Sequence, residues 1–179
     1  MIDGNAPRVR TELQVMFFDT DCGGVVHNIA YLRFIEIART LLAEKLGLPL
    51  VQMAESKTYP VVVRTEIDYR RGAKLGDQLA VEGWLDRLER VRFWCAFRIV
   101  RPADETLIAE CRQMLAIIEM PEAKLLRLPE NWERYRSHSP SRSGGFQAAD
   151  QQVRRSGERR SLTTNRQITD RTDRTAELA

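Results

Sequence analysis

Two acids and a pair of glycines stand close together near the start of the chain, in the run DTDCGGVVHN of residues 19–28. A carboxylate such as that of Asp21 can attack a carbonyl carbon or accept a proton from water, and it can also simply cap a turn. Backbone amides at the start of a following helix can hold the negative charge that develops on a carbonyl oxygen. Together these groups form a workable acyl-transfer site, with Asp21 as the candidate catalytic carboxylate, although an Asp beside two glycines taken alone is more often structural.

The residues after this turn predict the long helix that such a site requires. Apolar side chains recur at the spacing of one helix face, at positions 31, 34, 35, 38, 41, 42 and 46. Asn28 is the predicted N-cap, because its short amide side chain accepts hydrogen bonds from free backbone amides. Gly47 and Pro49 predict the end of the helix. Residues 8–18 alternate between apolar and polar side chains, which predicts a strand leading into the turn.

Four further strands are predicted downstream, at about residues 59–70, 78–86, 91–99 and 107–120. A loop is expected between the helix and the first of them, and a short helix or docked segment around Trp132 is expected near the end. This pattern predicts an α+β fold, a mostly antiparallel five-stranded sheet wrapped around one long central helix. The exposed edges of such a sheet favour pairing with a second copy of the chain.

The run DTDCGGVVHNIAYLRFIEIAR, residues 19–39, resembles the 4-hydroxybenzoyl-CoA thioesterase branch of the hotdog-fold acyl-CoA thioesterases. That family carries an Asp-x-Asp-x-x-Gly-Val-Val segment and a Tyr a few residues into the helix. The resemblance extends over roughly residues 9–130. It implies a hotdog fold, hydrolysis of an acyl-CoA thioester without a metal or redox cofactor, and a homodimer or homotetramer with active sites at subunit interfaces. An acyl-carrier-protein thioesterase and a non-catalytic acyl-CoA-binding hotdog subunit are the alternatives.

The resemblance also assigns roles to residues of the motif. The catalytic Asp of the family falls on Asp21, and Asp19 takes a supporting or turn-forming position. Many bacterial relatives have Tyr-His where this chain has His27 and Asn28, so the histidine falls one position early. His27 is therefore either an acid or substrate contact or an ordinary turn residue, and Asn28 is expected to cap the helix and to hold water or the carbonyl. The amides of residues 27–30 are the candidate oxyanion donors.

Substrate contacts are expected on both sides of the turn. Gly24 and Val25 belong to the family motif, and Tyr31 either lines the acyl pocket or joins the apolar stripe of the helix. Arg70 and Arg71, with Lys74 in the same turn, are candidates for the phosphates of coenzyme A, although charged turns are common in any protein.

Two further candidates have simpler explanations. Glu36 on the helix matches the catalytic Glu of a related hotdog branch, but an exposed ion pair with Arg33 or Arg39 explains it better. Cys22 follows Asp21, yet no group nearby in the sequence would activate its thiol, so it is predicted to be inert. The three cysteines are widely spaced, which argues against a disulfide framework or a zinc site.

Charge and composition divide the chain at residue 136. The net charge of +3 lies in residues 137–179, whereas residues 1–136 are neutral. The first part is predicted to be the hotdog domain, and the second an Arg-rich, disordered tail that lacks the apolar residues of a core. Its arginines are diluted by acids without interleaved aromatics, so no nucleic-acid partner is expected. No apolar run approaches a membrane span and no secretion signal is visible, so a cytoplasmic location is expected.

Overall fold

One long helix and a curled antiparallel sheet form the structure, a computed structural model that describes residues 6–136. The predicted tail of residues 137–179 lies outside the described residues, so the domain boundary stays a prediction. Two helices precede most of the sheet, α1 (Asn28–Lys45) and α2 (Leu50–Ser56). The strands are β1 (Arg8–Gln14), β2 (Thr58–Tyr69), β3 (Gln78–Leu88), β4 (Arg92–Arg101), β5 (Thr106–Glu119) and β6 (Lys124–Leu125). Short 3-10 helices cover Phe17–Asp19 and Glu130–Tyr135.

The five long strands pair in the order β1-β3-β4-β5-β2, all antiparallel, and the two-residue β6 adds to β5. The first and second long strands along the chain are therefore the two edges of the sheet. The predicted α+β architecture is confirmed, with β6 as a small addition. The outer edge of β2 carries no strand partner among residues 6–136.

The apolar stripe of α1 faces the sheet, as its spacing predicts. Its buried residues are Ala30, Tyr31, Phe34, Ile35, Ala38, Leu42 and Ala43. All of them except Ala43 join side chains from β3, β4 and β5 in one core. Gly83 in β3 is required there, because a Cβ at this position would come within 2.9 Å of the Phe97 ring. The core therefore fixes α1 across the sheet, which in turn fixes where the helix begins.

Three local predictions were wrong. The strand predicted over residues 8–18 ends at Gln14, and residues 17–19 form a 3-10 helix instead. The loop predicted after α1 contains the short helix α2. The sequence of residues 59–69 alternates, which predicts Val61 and Val63 on one face and Arg64 and Glu66 on the other. A bulge between Val62 and Arg64 interrupts this alternation in β2, so the neighbours Val62 and Val63 are both exposed.

The segment that follows β6 closes the C-terminal end of α1. Trp132 is almost fully buried, and its indole N–H donates to the carbonyl oxygen of Leu46 at 2.8 Å. Its ring packs edge-on against Phe93, with ring centres 5.0 Å apart. The guanidinium of Arg136 donates to the carbonyl oxygens of Leu88 and Glu89, at 3.1 and 2.9 Å. The predicted docked segment around Trp132 is thus present as a 3-10 helix.

Candidate active site

The acid-glycine turn is a small hairpin between the first 3-10 helix and α1. Thr20 and Val26 pair across its base, and the Asp21 amide donates to the Val25 carbonyl at 2.9 Å. The Gly24 amide returns to the Asp21 carbonyl at 3.0 Å, with Gly24 in the left-handed region at φ +71°. Because that conformation is costly for residues with a Cβ, Gly24 is needed to turn the chain. The hairpin places Asp21 at its tip, directly before the helix.

The Asp21 side chain is exposed and is oriented by its own turn. One carboxylate oxygen, Oδ1, accepts from the Gly23 amide at 2.8 Å, and the other has no hydrogen bond to a residue within 6–136. A Cβ at position 23 would lie 3.1 Å from Oδ1, so glycine leaves room for this contact. The carboxylate is thus both a turn-forming group and an oriented acceptor with one oxygen available.

His27, not Asn28, is the N-cap of α1, so the predicted cap was wrong by one residue. Its Nδ1 accepts from the Ala30 amide at 3.2 Å, and its backbone amide donates to the Asp19 carbonyl at 3.0 Å. A neutral imidazole that accepts at Nδ1 carries its proton on Nε2. His27 is therefore a cap whose remaining ring nitrogen is a donor.

Two amides at the start of α1 remain available. The amides of His27 and Ala30 are used within the cap, whereas those of Asn28 and Ile29 make no hydrogen bond to any residue within 6–136. Both residues are exposed. The Asn28 carbonyl oxygen accepts a hydrogen bond from the Tyr69 hydroxyl at 3.4 Å. Of the amides of residues 27–30, those of Asn28 and Ile29 therefore remain as candidate oxyanion donors. They also lie at the positive end of the helix dipole.

Tyr31 lies in the core, with 3% of its surface exposed. Its hydroxyl accepts from the Ala73 amide at 3.0 Å, and its ring contacts Phe34 and Tyr69. Burial raises the pKa of this phenol. Tyr31 was predicted either to line the acyl pocket or to join the apolar stripe of the helix, and its burial supports the second role. Through Ala73 it also connects α1 to the segment between β2 and β3.

That β2–β3 segment lies against the hairpin. Val25 pairs with Lys74 in an isolated bridge, and the Val26 amide donates to the Ala73 carbonyl at 2.8 Å. Lys74 and Arg71 are exposed, and neither the Lys74 ammonium nor the Arg71 guanidinium has a carboxylate within 4.0 Å among the described residues. Arg70 differs, because its guanidinium is 3.2 Å from Glu110 and 3.4 Å from Asp68. Two of the three predicted basic residues therefore keep unpaired charge.

Asp19 and Arg33 form a charge pair that the sequence pattern did not predict. Helical spacing left either Arg33 or Arg39 as the predicted partner of Glu36, and among residues 6–136 Glu36 pairs with Arg39, at 3.0 Å, and is 64% exposed. The predicted structural role of Glu36 is thus supported. An acid 14 positions before an arginine gives no periodic signal, so only the fold reveals the Asp19–Arg33 pair.

The three cysteines differ sharply in accessibility: Cys22 is exposed, and Cys95 and Cys111 are buried. Burial raises the pKa of Cys111 to about 12 and raises that of Cys95 well above its ordinary range. Because the thiolate is the reactive form, iodoacetamide at pH 8 should modify only Cys22 in the folded protein. Mass spectrometry should find one adduct before denaturation and three after it. Rapid native labelling of Cys95 or Cys111 would contradict this prediction.

Two other features bear on the class of the site. Among residues 6–136, no group of three or more His, Cys, Asp or Glu side chains is arranged to hold a metal ion. No helix in the same part of the chain is long and apolar enough to cross a membrane.

A shallow groove lined by Val9, Arg10, Leu41, Glu44 and Lys45 lies near the other end of α1, roughly 20 Å along the helix from Asn28.

A curled antiparallel sheet wrapped on one central helix is the architecture of the hotdog fold, and comparison with known proteins assigns the chain to the thioester hydrolases of that fold. Residues 15–134 match the model of the thioesterase-like superfamily, and the chain belongs to that family. It is 29% identical over 119 residues to the acyl-CoA thioesterase YbgC of Haemophilus influenzae, covering 66% of this chain and 86% of the relative. It is 30% identical over 124 residues to the 1,4-dihydroxy-2-naphthoyl-CoA hydrolase of Synechocystis, covering 68% and 89%.

Solved structures give the same class. The crystal structure of a 1,4-dihydroxy-2-naphthoyl-CoA thioesterase from Synechocystis matches with a TM-score of 0.64 and 26% identity, over 71% of this chain and 93% of that one. A probable thioesterase from Bartonella henselae matches with a TM-score of 0.63 and 27% identity, over 69% of this chain and all of that one. The predicted hotdog fold and thioester hydrolase class are confirmed.

Proposed function

We propose that this protein hydrolyses acyl-CoA thioesters, with Asp21 as nucleophile or general base and the amides of Asn28 and Ile29 polarising the thioester carbonyl. The observation that carries the proposal is the hairpin, which joins an oriented carboxylate with one free oxygen to a helix start with two free amides. The acyl-CoA activities named for the relatives support the substrate class.

The chemistry balances with this chain's own groups. Attack on the thioester carbon, by Asp21 or by a water that Asp21 deprotonates, creates an oxyanion that the two amides stabilise. Collapse of this intermediate breaks the carbon–sulfur bond and releases the CoA thiolate, which takes up a proton. If Asp21 is the nucleophile, the product is a mixed anhydride that water then hydrolyses. The Nε2 proton of His27 is a donor available to the substrate.

The direct test is thiol release from purified protein with acetyl-, hexanoyl-, lauroyl-, benzoyl- and 4-hydroxybenzoyl-CoA, each compared with the same acyl group on acyl carrier protein. Hydrolysis of at least one CoA ester, in preference to the carrier-protein ester, supports the proposal. Faster hydrolysis of the carrier-protein ester favours an acyl-carrier-protein thioesterase instead. Binding of acyl-CoA without thiol release favours the non-catalytic subunit. Borohydride trapping of an anhydride on Asp21 would distinguish nucleophile from base.

Lys74 and Arg71 are the residues proposed to meet the CoA phosphates. Lys74 pairs with Val25 of the hairpin, and Arg71 lies three residues earlier in the same β2–β3 segment. Neither charged group has a carboxylate partner among residues 6–136, whereas Arg70 is paired with Asp68 and Glu110. Replacing Lys74 with Gln should raise KM for the acyl-CoA roughly two- to five-fold with little change in kcat, because an exposed charge contact is worth under about 1 kcal/mol. Steady-state kinetics at low and high salt measure this, and the difference should shrink as salt screens the charge.

Lys124→Gln is the matched control, since Lys124 is an exposed lysine on β6. It should leave KM unchanged at every salt concentration. A Lys74→Gln variant with the KM and salt dependence of this control would remove Lys74 from the proposed phosphate contact.

We also propose a homodimer that pairs through the free edge of β2. This edge strand has 12 residues and exposes Val62, Val63 and Tyr69, an arrangement that favours pairing with another chain. The start of α1 reaches the same edge, because the Tyr69 hydroxyl donates to the Asn28 carbonyl. A second copy on β2 would therefore wall the site that a single chain leaves open. Light scattering should give twice the chain mass of 20.6 kDa, or four times it if dimers pair further.

A further inference from the structure

Asp19 is the most deeply buried charged residue of residues 6–136, with 2% of its surface exposed. Its carboxylate has two partners. Oδ2 accepts from the Met16 amide at 2.8 Å, and Oδ1 pairs with Nη2 of Arg33. A buried carboxylate without a partner is strongly unfavourable, so these contacts hold the 3-10 helix Phe17–Asp19 in place.

Arg33 provides the link to the helix. It lies in the second turn of α1, its side chain is 49% exposed, and its guanidinium lies 5.2 Å from the centre of the Phe18 ring. The ion pair therefore joins the residues before the hairpin to the body of the helix after it. The hairpin itself makes no such side-chain contact with α1 beyond residue 30 among the described residues.

The backbone of Asp19 completes the connection. Its carbonyl accepts from the His27 amide at 3.0 Å, which holds the first helical residues against the base of the hairpin. Asp19 thus contacts Met16 before the 3-10 helix, His27 at the N-cap of α1 and Arg33 in the second turn of α1. The hairpin that carries Asp21 and the helix start that carries the amides of Asn28 and Ile29 are thus both next to Asp19 and its contacts.

We propose that the Asp19–Arg33 ion pair is a positioning device that fixes the Asp21 hairpin relative to the amides of Asn28 and Ile29. This inference rests on the proposed function of Asp21. Neither Asp19 nor Arg33 reacts with substrate in this view. Their effect is on geometry, and displacement of a reacting group by about 1 Å can cost on the order of a hundred-fold in rate.

Arg33→Met should lower kcat by about 10- to 100-fold with little change in KM, measured on the best acyl-CoA of the five above. Arg33→Lys, which keeps the charge, should recover most of kcat. The double variant Asp19→Asn, Arg33→Met has no uncompensated buried charge. Its melting temperature should therefore be closer to that of the unmodified protein than the melting temperature of Arg33→Met is. Its kcat should nevertheless stay low, because the ion pair that joins residue 19 to the body of α1 is still missing, even though the backbone bond from His27 to residue 19 remains.

Arg10→Met is the matched control, since Arg10 is also about half exposed, at 47%, and pairs with Glu82 on the sheet. It should keep kcat within about two-fold, as surface substitutions usually do. If kcat of the double variant recovers together with its melting temperature, or if Arg33→Met behaves like Arg10→Met, the pair is only structural and the inference fails.

Failure of the proposed function gives a different result. In that case Asp21→Asn keeps full activity, or none of the five acyl-CoAs is hydrolysed, and the positioning role falls with it. Loss of activity in Asp21→Asn together with unchanged kcat in Arg33→Met rejects the positioning role alone.

Discussion

Asp21→Asn should lower thiol release from acyl-CoA by at least about 1,000-fold, because an amide can neither attack the thioester nor accept a proton from water. Asn retains a side-chain oxygen that can accept from the Gly23 amide, so the hairpin should persist. Circular dichroism and the melting temperature should match those of the unmodified protein. The loss therefore reports chemistry and not unfolding.

Cys22→Ala is the control for this experiment. Cys22 is the exposed neighbour of Asp21, and its replacement should leave turnover unchanged. Loss of activity in Cys22→Ala with retention in Asp21→Asn would identify the thiol as the nucleophile and refute the role proposed for the carboxylate.

If the protein pairs through β2 as proposed, Val63→Lys should convert the dimer to a monomer and abolish most of the activity at low protein concentration. Val63 is 49% exposed at the bulge of β2, and a lysine on a free edge opposes pairing with a second strand. Because we expect the partner to wall the active site, activity per chain should follow the dimer fraction. Light scattering and thiol release over a range of protein concentrations measure the two quantities together.

Val51→Lys makes the same change at an exposed valine of α2, which is 71% exposed. It should remain dimeric and active. A monomeric Val63→Lys with full turnover would show that one chain is sufficient, and an unchanged mass would place the interface away from this part of β2.

The long elements were predictable because their patterns extend over many residues. The stripe of α1 and the alternation of the strands each repeat several times, so the core of the fold determines them. The predictions that were wrong concern short or irregular segments, in which the sequence pattern is too brief to indicate the local structure. α2 has only seven residues and no side-chain cap, which leaves little periodic signal. The bulge at Val62 and Arg64 changes which side chains of β2 are exposed without changing the composition of the strand.

The local elements of the candidate site were predictable from the sequence, whereas the contacts between them were not. The sequence indicates a carboxylate, a glycine turn and a helix start, but it does not show which amides the cap uses. His27 takes the cap because its Nδ1 reaches the Ala30 amide, and this leaves Asn28 free for other contacts. Arg33 pairs with Asp19 because a buried carboxylate needs a partner far more than an exposed glutamate does.

The contacts of Arg136 bear on how the protein can be handled. Arg136 is bound to the far end of β3, at Leu88, while the residues just before β3 lie against the Asp21 hairpin. At about 3.3 Å per residue, the length of β3 separates these two places by roughly 30 Å. An affinity tag, fluorophore or fused protein joined directly after residue 136 therefore has its attachment point well away from the Asp21 carboxylate.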